Sequence, residues 1–296
     1  MYNALAQNKR KSALLVFAFV LLLLALGWAL GVWLGNPTNG LVIAGAIALL
    51  TTLIGYFAGD KVALAVAGAK KVERRDHPEL YRLVENLAIS EGLPTPSVYL
   101  ISDRAPNAFA AGRDPKHAVI AVTQGLLDTL EKVELEGVLA HELGHIKNAD
   151  VRFMTLVVVL VGSIILLSDM LTRSFLWGRD RDNRNAGPLL IVGLVLAILS
   201  PFIAELIKLA VSREREYLAD ATAAMTTRYP EGLARALEKI ATLDQPLARA
   251  NHATAHLYIA NPFDPHITHR KFETLFSTHP PIEDRIRRLR SLGASA

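Results

Sequence analysis

The chain contains no cysteine among its 296 residues. This absence excludes disulfide bonds, thiolate metal sites and cysteine nucleophiles. Any bound metal ion must therefore be held by histidine nitrogens and carboxylate oxygens.

Charged residues are scarce, at 20% of the chain, and they leave a formal net charge of +4. A nucleic-acid surface is expected to show a stripe of basic residues interleaved with aromatic residues. Here the basic residues instead cluster beside apolar segments. We therefore expect no nucleic-acid partner and take lipid headgroups as the partners of the basic clusters.

Long apolar runs are abundant, in keeping with a 51% hydrophobic content and a mean hydropathy of +0.29. Residues 13–34 and 41–58 carry no charge, and each run approaches or exceeds the roughly 20 residues that cross a bilayer as a helix. A predicted turn at residues 36–40 joins them into a transmembrane hairpin within residues 1–67. A cleaved signal peptide is the alternative for the first run.

Basic residues flank the two open ends of this hairpin and are absent from its turn: Lys9, Arg10 and Lys11 precede it, and Lys61, Lys70, Lys71, Arg74 and Arg75 accompany or follow its second run. Because positively charged flanks stay in the cytoplasm, both ends are predicted to be cytoplasmic. The soluble part that follows is then cytoplasmic as well.

Residues 68–150 are predicted to form the first part of a catalytic domain. Asp76 is predicted to cap a helix whose apolar positions continue to Leu87. Residues 97–102, 107–111 and 117–122 are predicted to be strands of a small sheet. A further helix is predicted over residues 131–148, which makes the fold mainly helical with a small sheet.

Two histidines stand four positions apart on this helix, at His141 and His145. Positions four apart share one helical face, so both imidazoles can bind one tetrahedral metal ion. Glu142 follows the first ligand and is placed to take a proton from a water at the metal's open position. The alternative is a chance pair of surface histidines, but apolar residues at helical spacing favour a semi-buried helix.

A second membrane hairpin is predicted within residues 151–210, with spans at about 153–171 and 187–207. The arginine-rich stretch 173–185 lies between them. If the hairpin crosses the bilayer, this stretch faces outside, which opposes the positive-inside rule. Full and partial spanning both stay open, and we favour full spanning.

Two carboxylates, Glu216 and Asp220, lie four positions apart after this hairpin, in the predicted second part of the catalytic domain, residues 211–296. An acidic helix segment is usually a solvated face. However, His145 lies about 12 Å of helix before one apolar run and Glu216 about 18 Å after the other, so both reach a similar height above the membrane. Glu216 is therefore a candidate third ligand.

The remaining segment is predicted to form helices over residues 231–243 and 281–292. His252 and His256 are four apart, but no carboxylate base accompanies them. We interpret them as ordinary polar residues, and we interpret His266 and His269 in the same way.

Taken together, these motifs resemble the HtpX-type membrane zinc metalloproteases and, more remotely, the CAAX prenyl endopeptidases. The resemblance covers nearly the whole chain and rests on an ordered set of motifs: Asn107-Ala108-Phe109, the segment 141–145, Glu216 to Asp220, His279 before two prolines, and Arg285.

The resemblance implies a multi-pass protein of the cell inner membrane whose zincin-like α+β catalytic domain faces the cytoplasm. It implies one zinc ion per chain held by His141, His145 and Glu216, with Glu142 as the base. It further implies that Asp220 and Arg285 support the site, that His279 donates to the oxyanion, and that Asn107 faces the bound peptide. The implied role is stress-related quality control of unfolded or damaged membrane proteins.

Two other functions stay open at this point. A CAAX-type prenyl peptidase would use the same ligands, but four predicted spans are few for a large intramembrane chamber. A zinc-stabilised membrane chaperone or scaffold would need four protein ligands and no base, whereas three ligands and Glu142 are present.

The run from Asn107 through Ala108 and Phe109 to Ala110 is the candidate substrate-binding segment. An extended peptide could add to this strand through main-chain hydrogen bonds, which give affinity with little sequence preference. The alternative is an internal strand that is already paired on both sides.

Overall fold

The structure is a computed structural model, and it describes residues 2–33, 35–177, 213–243, 245–249, 251, 253–263 and 280–294. The chain begins with two long helices, α1 (Tyr2–Trp33) and α2 (Pro37–Ala67). Both contain segments long and apolar enough to cross a membrane, at Arg10–Val32 and Pro37–Ala67. Large apolar side chains are exposed along both helices, as a lipid-facing surface requires.

The predicted turn at residues 36–40 was too long. Helix α2 already begins at Pro37, because Asn36 caps it by accepting a hydrogen bond from the backbone N–H of Asn39 at 3.0 Å. A proline at the first helical position fits this start, since its missing N–H has no partner there. The second helix also continues to Ala67, beyond the predicted end at residue 58.

Glycines let α1 and α2 approach each other closely. A Cβ added to Gly40 would lie 2.1 Å from the carbonyl oxygen of Gly27 and 2.8 Å from the Cα of Gly31. In lipid, where no hydrophobic force draws helices together, such contact between backbones provides the packing.

A four-stranded sheet follows, with the strand order β1-β2-β4-β3. The strands are β1 (Ala69–Lys71), β2 (Ser97–Ile101), β3 (Ala108–Gly112) and β4 (Ala118–Thr123). Strand β4 runs parallel to β2 and antiparallel to β3, and β1 is antiparallel to β2. The three predicted strands are confirmed within one or two residues, whereas the three-residue β1 was missed.

Helix α3 (Pro78–Glu91) connects β1 to β2 in the chain. Its N-cap is His77, which makes no capping hydrogen bond through its side chain. The predicted cap at Asp76 was wrong, because that carboxylate instead accepts from the backbone N–H of Glu73 at 3.1 Å.

The sheet is buried on both faces. Val98, Ala110 and Ile120 pack with α3 and the later helices, whereas Phe109 and Ala121 pack with the C-terminal end of α2 and with Tyr258. The sheet therefore joins the helical domain to the membrane hairpin.

Helix α4 (Gln124–Thr129) and helix α5 (Lys132–Lys147) follow the sheet. The backbone N–H of Glu131 donates to the carboxylate of Glu134 at 2.8 Å, which satisfies a donor at the start of α5. Helix α5 carries the two histidines and is buried along most of its length.

The sequence-based estimate of heights took α5 to continue straight into the next apolar helix. The structure shows a bend instead. Helix α6 (Asp150–Trp177) leaves α5 at an angle of 85°. The turn between them passes through Ala149, whose φ of 56° is left-handed. The pair would count as a third membrane-crossing segment only if both helices were taken as one span.

Helix α6 packs along α2 from Thr155 beside Gly59 to Val159 beside Gly55. The two helices therefore run in opposite directions. Its side chains are mostly buried as far as Ile164, so the predicted span at 153–171 faces protein over its first half. The predicted return span at 187–207 lies outside the described residues.

The second part of the domain consists of α7 (Arg213–Thr227), α8 (Pro230–Thr242) and α9 (Ile282–Ala294), with a short 3-10 helix at Ala255–Leu257. The two predicted helices of this part are confirmed as α8 and α9, with small shifts at their ends. Helix α8 approaches α5 closely at Gly137, where a Cβ would lie 2.7 Å from the backbone nitrogen of Leu233.

We predict that Gly40→Val separates α1 from α2 and lowers the stability of the detergent-solubilised chain by about 1–3 kcal/mol, the usual cost of overpacking. Gly45→Val is the matched control, since its Cβ would meet only a Leu24 methyl group at 3.7 Å. Thermal denaturation of both variants measures the difference, and equal midpoints would refute the close packing.

Candidate metal centre

Three buried side chains converge between α5 and α7. The Nε2 atoms of His141 and His145 lie 3.2 Å apart, and the carboxylate of Glu216 lies 3.5 Å from His145 Nε2 and 3.7 Å from His141 Nε2. The three candidate ligand atoms all lie within 4.8 Å of one another. The structure thus brings together the three residues that the sequence indicated as metal ligands.

A close approach of the two helices makes this convergence possible. At Gly144, which lies between the two histidines in the chain, a Cβ would lie 3.3 Å from the Cα of Ala219 on α7. The glycine in the motif therefore lets α7 come near enough for Glu216 to reach the histidine face of α5.

The outer nitrogen of His141 is held by a carboxylate. Its Nδ1 lies 2.9 Å from Oδ1 of Asp220, one turn after Glu216 on α7. A carboxylate at Nδ1 fixes the tautomer that leaves Nε2 free to bind a metal ion. Asp220 thus stands where the sequence analysis placed it.

Arg285 from α9 binds Asp220, the carboxylate that faces the outer nitrogen of His141. Its Nε and Nη2 donate to the two oxygens of Asp220 at 2.9 and 2.7 Å, and its Nη1 donates to the carbonyl oxygen of Ile259 at 3.0 Å. Nη1 also lies 3.6 Å from Glu216. The fully buried guanidinium thus joins α7, α9 and the segment around Ile259.

A second carboxylate, which the sequence analysis missed, lies beside His145. Oδ2 of Asp150, the first residue of α6, lies 3.3 Å from His145 Nδ1. Sequence spacing gave no direct signal, because positions five apart do not share a helical face. The polar interruption Asn148-Ala149-Asp150 between two apolar stretches was the available clue.

Glu142 is buried beside the ligands, and its carboxylate oxygens have no hydrogen-bond partner among the described residues. Burial raises its pKa to about 7, with the charge of Glu216 adding to the rise and that of His145 opposing it. The backbone N–H of Ala110 lies near enough to lower this pKa slightly. A pKa near neutrality suits a group that takes up and returns a proton.

The pKa values of the two histidines shift in opposite directions. Burial, together with the charge of Arg285, lowers the pKa of His141 to about 4. Burial also disfavours the charged form of His145, but the hydrogen bond with Asp150 and the charge of Glu216 raise its pKa to about 9. Asp220 stays ionised despite its burial, because Arg285 lowers its pKa to about 2.

Strand β3 runs past Glu142 at the edge of the described sheet. The side chain of Asn107 binds the segment around Ala260, donating to its carbonyl oxygen at 3.1 Å. The side chain of Phe109 points to the opposite face of the sheet, where its ring packs edge-on against Tyr258 at 5.2 Å. The side chain of Phe109 therefore packs with the residues around α2 and not with those of α5.

His279 lies outside the described residues, as do His252, His266 and His269. His256 is fully buried, and its Nε2 lies 2.9 Å from the carbonyl oxygen of Met154. Its burial was not expected from the sequence, which indicated an ordinary polar residue.

The donor set fits a metal ion. Two imidazoles and one carboxylate converge on one point, and the outer nitrogen of each imidazole faces a carboxylate. Within the described ranges three candidate ligands cluster, and three protein ligands are characteristic of catalytic sites, in which water or substrate takes the open position.

Comparisons with known proteins agree with this chemistry. The family model for peptidase family M48 matches residues 74–293. A protease HtpX homolog from Dictyoglomus turgidum (strain DSM 6724 / Z-1310) is 48% identical over 292 residues, which cover 99% of this chain and 95% of that protein. A protease HtpX homolog from Tropheryma whipplei (strain Twist) is 46% identical over 293 residues, which cover 99% of both.

The fold is similar to that in the crystal structure of S. mikatae Ste24p. The TM-score is 0.51 at 18% identity, and the match covers 98% of this chain and 67% of Ste24p. At this identity the likeness concerns the fold alone. On the strength of the matched family model and of these near full-length relatives, the chain belongs to peptidase family M48 and is a membrane metalloprotease of the HtpX type.

Proposed function

We propose that the chain is a zinc-dependent endopeptidase that cleaves unfolded or damaged membrane proteins at the cytoplasmic face of the cell inner membrane. The observation that carries the proposal is the convergence of His141, His145 and Glu216 beside the buried carboxylate of Glu142. The quality-control role rests on the resemblance to HtpX proteases.

In this proposal, His141, His145 and Glu216 hold one zinc ion. Bound zinc would supply a Lewis acid and lower the pKa of a coordinated water toward neutrality. Glu142 accepts the proton of the attacking water at its carboxylate and later delivers it to the leaving amine. Asp220, fixed by Arg285, holds the ring of His141 in place.

A structural zinc site in a chaperone or scaffold is the less favoured alternative. A structural site closes its coordination with four protein ligands, whereas three candidate ligands cluster among the described residues. The burial of the Glu142 carboxylate, which has no side-chain hydrogen bond among the described residues, is also costly for the fold, and a scaffold would gain nothing from retaining it. His279 as the oxyanion donor remains a proposal based on the resemblance.

We propose that substrate binds along β3. Within the described sheet, β3 pairs only with β4 and lies at the edge. Alternate residues of an edge strand turn their N–H and C=O outward. Ala108 does so, since its carbonyl oxygen accepts a hydrogen bond from the N–H of Ile259 at 3.0 Å. Gly112 does so as well, since its N–H donates to the hydroxyl oxygen of Thr155 at 2.9 Å.

By this alternation Ala110, midway between them, also turns its N–H and C=O outward. Its N–H lies near Glu142, which joins this position to the metal centre. We propose that an extended substrate pairs with Ala110 through main-chain hydrogen bonds. Such pairing gives affinity with little side-chain preference, as clearance of diverse damaged proteins requires.

The proposed topology places the catalytic domain in the cytoplasm. Basic residues flank both open ends of the α1–α2 hairpin, and its turn has none. Helix α6 runs antiparallel to α2 from the same side as the domain. We therefore propose a multi-pass chain, with the membrane hairpins at residues 1–67 and 151–210 and the two parts of the domain at 68–150 and 211–296.

The first prediction separates catalysis from metal binding. Glu142→Gln should retain one zinc per chain and lower casein cleavage by about 10²–10⁴-fold, the usual contribution of a general base. Glu216→Ala should lose zinc itself. Glu214→Ala is the matched control, because that carboxylate lies on the same helix and is exposed. A Glu142→Gln variant with the parental rate would refute the peptidase mechanism.

The second prediction concerns substrate docking. Ala110→Pro removes the proposed donor and should raise KM about tenfold, the value of one main-chain hydrogen bond, with zinc content unchanged. Ala110→Ser keeps the N–H and is the control. Peptides N-methylated at successive positions test the same contact from the substrate side. Equal KM values for both variants, with no N-methyl effect, would exclude β3 as the docking edge.

The third prediction concerns topology. Because the chain has no cysteine, each introduced cysteine is its single reactive thiol. An impermeant thiol reagent applied to intact cells should label Thr38→Cys and leave Ser291→Cys unlabelled until the membrane is permeabilised. Labelling of Ser291→Cys in intact cells would place the domain outside. Asn183→Cys tests the second hairpin separately and should label from outside if that hairpin spans the bilayer.

A further inference from the structure

Each histidine of the candidate centre faces a carboxylate from a different helix. His141 Nδ1 faces Asp220 of α7, and His145 Nδ1 faces Asp150 of α6. The two Nε2 atoms then converge on Glu216. Each histidine thus has a carboxylate at Nδ1 and a candidate metal-binding atom at Nε2. The two carboxylates come from positions seventy residues apart in the chain.

The bend between α5 and α6 delivers Asp150 to this position. In a straight helix, position 150 would lie about 7.5 Å further along the axis than position 145 and on another face. Instead, α5 ends at Lys147, the chain turns through Ala149 with a φ of 56°, and α6 starts at an angle of 85°. A left-handed alanine costs of order 1 kcal/mol, so other contacts must maintain this turn.

Asp150 is a buried carboxylate with cationic or hydrogen-bonding groups around it. Its side chain is 1% exposed, and that of His145 is 5% exposed. Burial lowers the pKa of Arg215 on α7, while the charges of Asp150 and Glu216 oppose that change. The Arg215 guanidinium also packs over the ring of Phe153, one turn along α6, at 5.2 Å. Asp150 thus has an imidazole on one side and a guanidinium nearby.

We infer that Asp150 is a positioning residue of the metal centre. It accepts a hydrogen bond from His145 Nδ1, fixes the tautomer and ring plane of that ligand, and so directs Nε2 toward the ion. The inference rests on the proposed zinc site and adds to it a second anchor, which comes from the helix that packs along the membrane hairpin. Carboxylates in this outer position usually contribute 10- to 100-fold to metal affinity.

A purely structural role for Asp150 makes different predictions. The residue stands at the N-terminal end of α6, where any carboxylate or amide stabilises the helix through its unpaired N–H groups and its dipole. Asparagine serves this capping role about as well as aspartate. It serves His145 less well, because a neutral amide makes a weaker hydrogen bond to the imidazole than a carboxylate does.

The test measures zinc affinity of the full-length, detergent-solubilised chain by competition with a chromophoric chelator, alongside thermal denaturation. Asp150→Ala should weaken zinc binding by about 10- to 100-fold, and Asp150→Asn should weaken it by a smaller factor while keeping the parental melting temperature. Asp128→Ala is the control for loss of one negative charge, because Asp128 is exposed on α4. It should bind zinc like the parent.

Parental zinc affinity in both Asp150 variants would overturn the inference and leave the zinc site intact. An Asp150→Asn variant that matches the parent in affinity and melting temperature, with loss only in Asp150→Ala, would make Asp150 a helix cap and also overturn it. If Asp150→Ala does not fold, the affinity of Asp150→Asn decides. A parent chain that binds no zinc would defeat the proposed function together with this inference.

Discussion

The buried ion pair between Arg285 and Asp220 is the constraint on which the rest of the domain depends. One guanidinium makes two hydrogen bonds to one carboxylate, and a third to the carbonyl oxygen of Ile259. Breaking such a pair leaves an uncompensated buried charge and costs about 3–5 kcal/mol. The pair therefore fixes the relative position of α7, α9 and the segment that borders β3, which no covalent cross-link does in this cysteine-free chain.

This pair also determines the chemistry of the centre. Because Arg285 keeps Asp220 ionised, Asp220 can hold the Nδ1 side of His141 while burial keeps that ring neutral. A neutral imidazole is the form that binds metal ions. Glu142 forms no such ion pair among the described residues, and burial raises its pKa to about 7. The pKa values of these neighbouring carboxylates thus shift in opposite directions, because Asp220 is paired with a guanidinium and burial dominates at Glu142.

The sequence predicted those parts of the site that depend on local periodicity. The spacing of His141 and His145 on one helix, and of Glu216 and Asp220 on another, follows from the geometry of an α-helix. That the four meet was argued from straight helices of equal height above the membrane. The four side chains do meet, but not along straight helices, because α6 leaves α5 at an angle of 85°.

The sequence failed where a single backbone dihedral decides the outcome. Alanine is a strong helix former, so nothing at Ala149 indicated a left-handed turn, and the position of Asp150 depends on that turn. The two faces of β3 were within reach of the sequence, since alternation alone sends Phe109 and Ala110 in opposite directions. Strand β1 has only three residues, which is too short for a recognisable pattern.

The edge of β3 has a further consequence for a protease whose proposed substrates are unfolded chains. An open strand edge is a template on which aggregation-prone segments assemble. Here Ile259 occupies the outward carbonyl at Ala108 and Thr155 occupies the outward N–H at Gly112. Among the residues that the structure describes, one outward position, Ala110, remains between them, and a single pair of main-chain hydrogen bonds is too short to hold a partner strand in stable register. If substrate docks at β3 as proposed, the edge would engage a chain at the metal centre without becoming a template for aggregation.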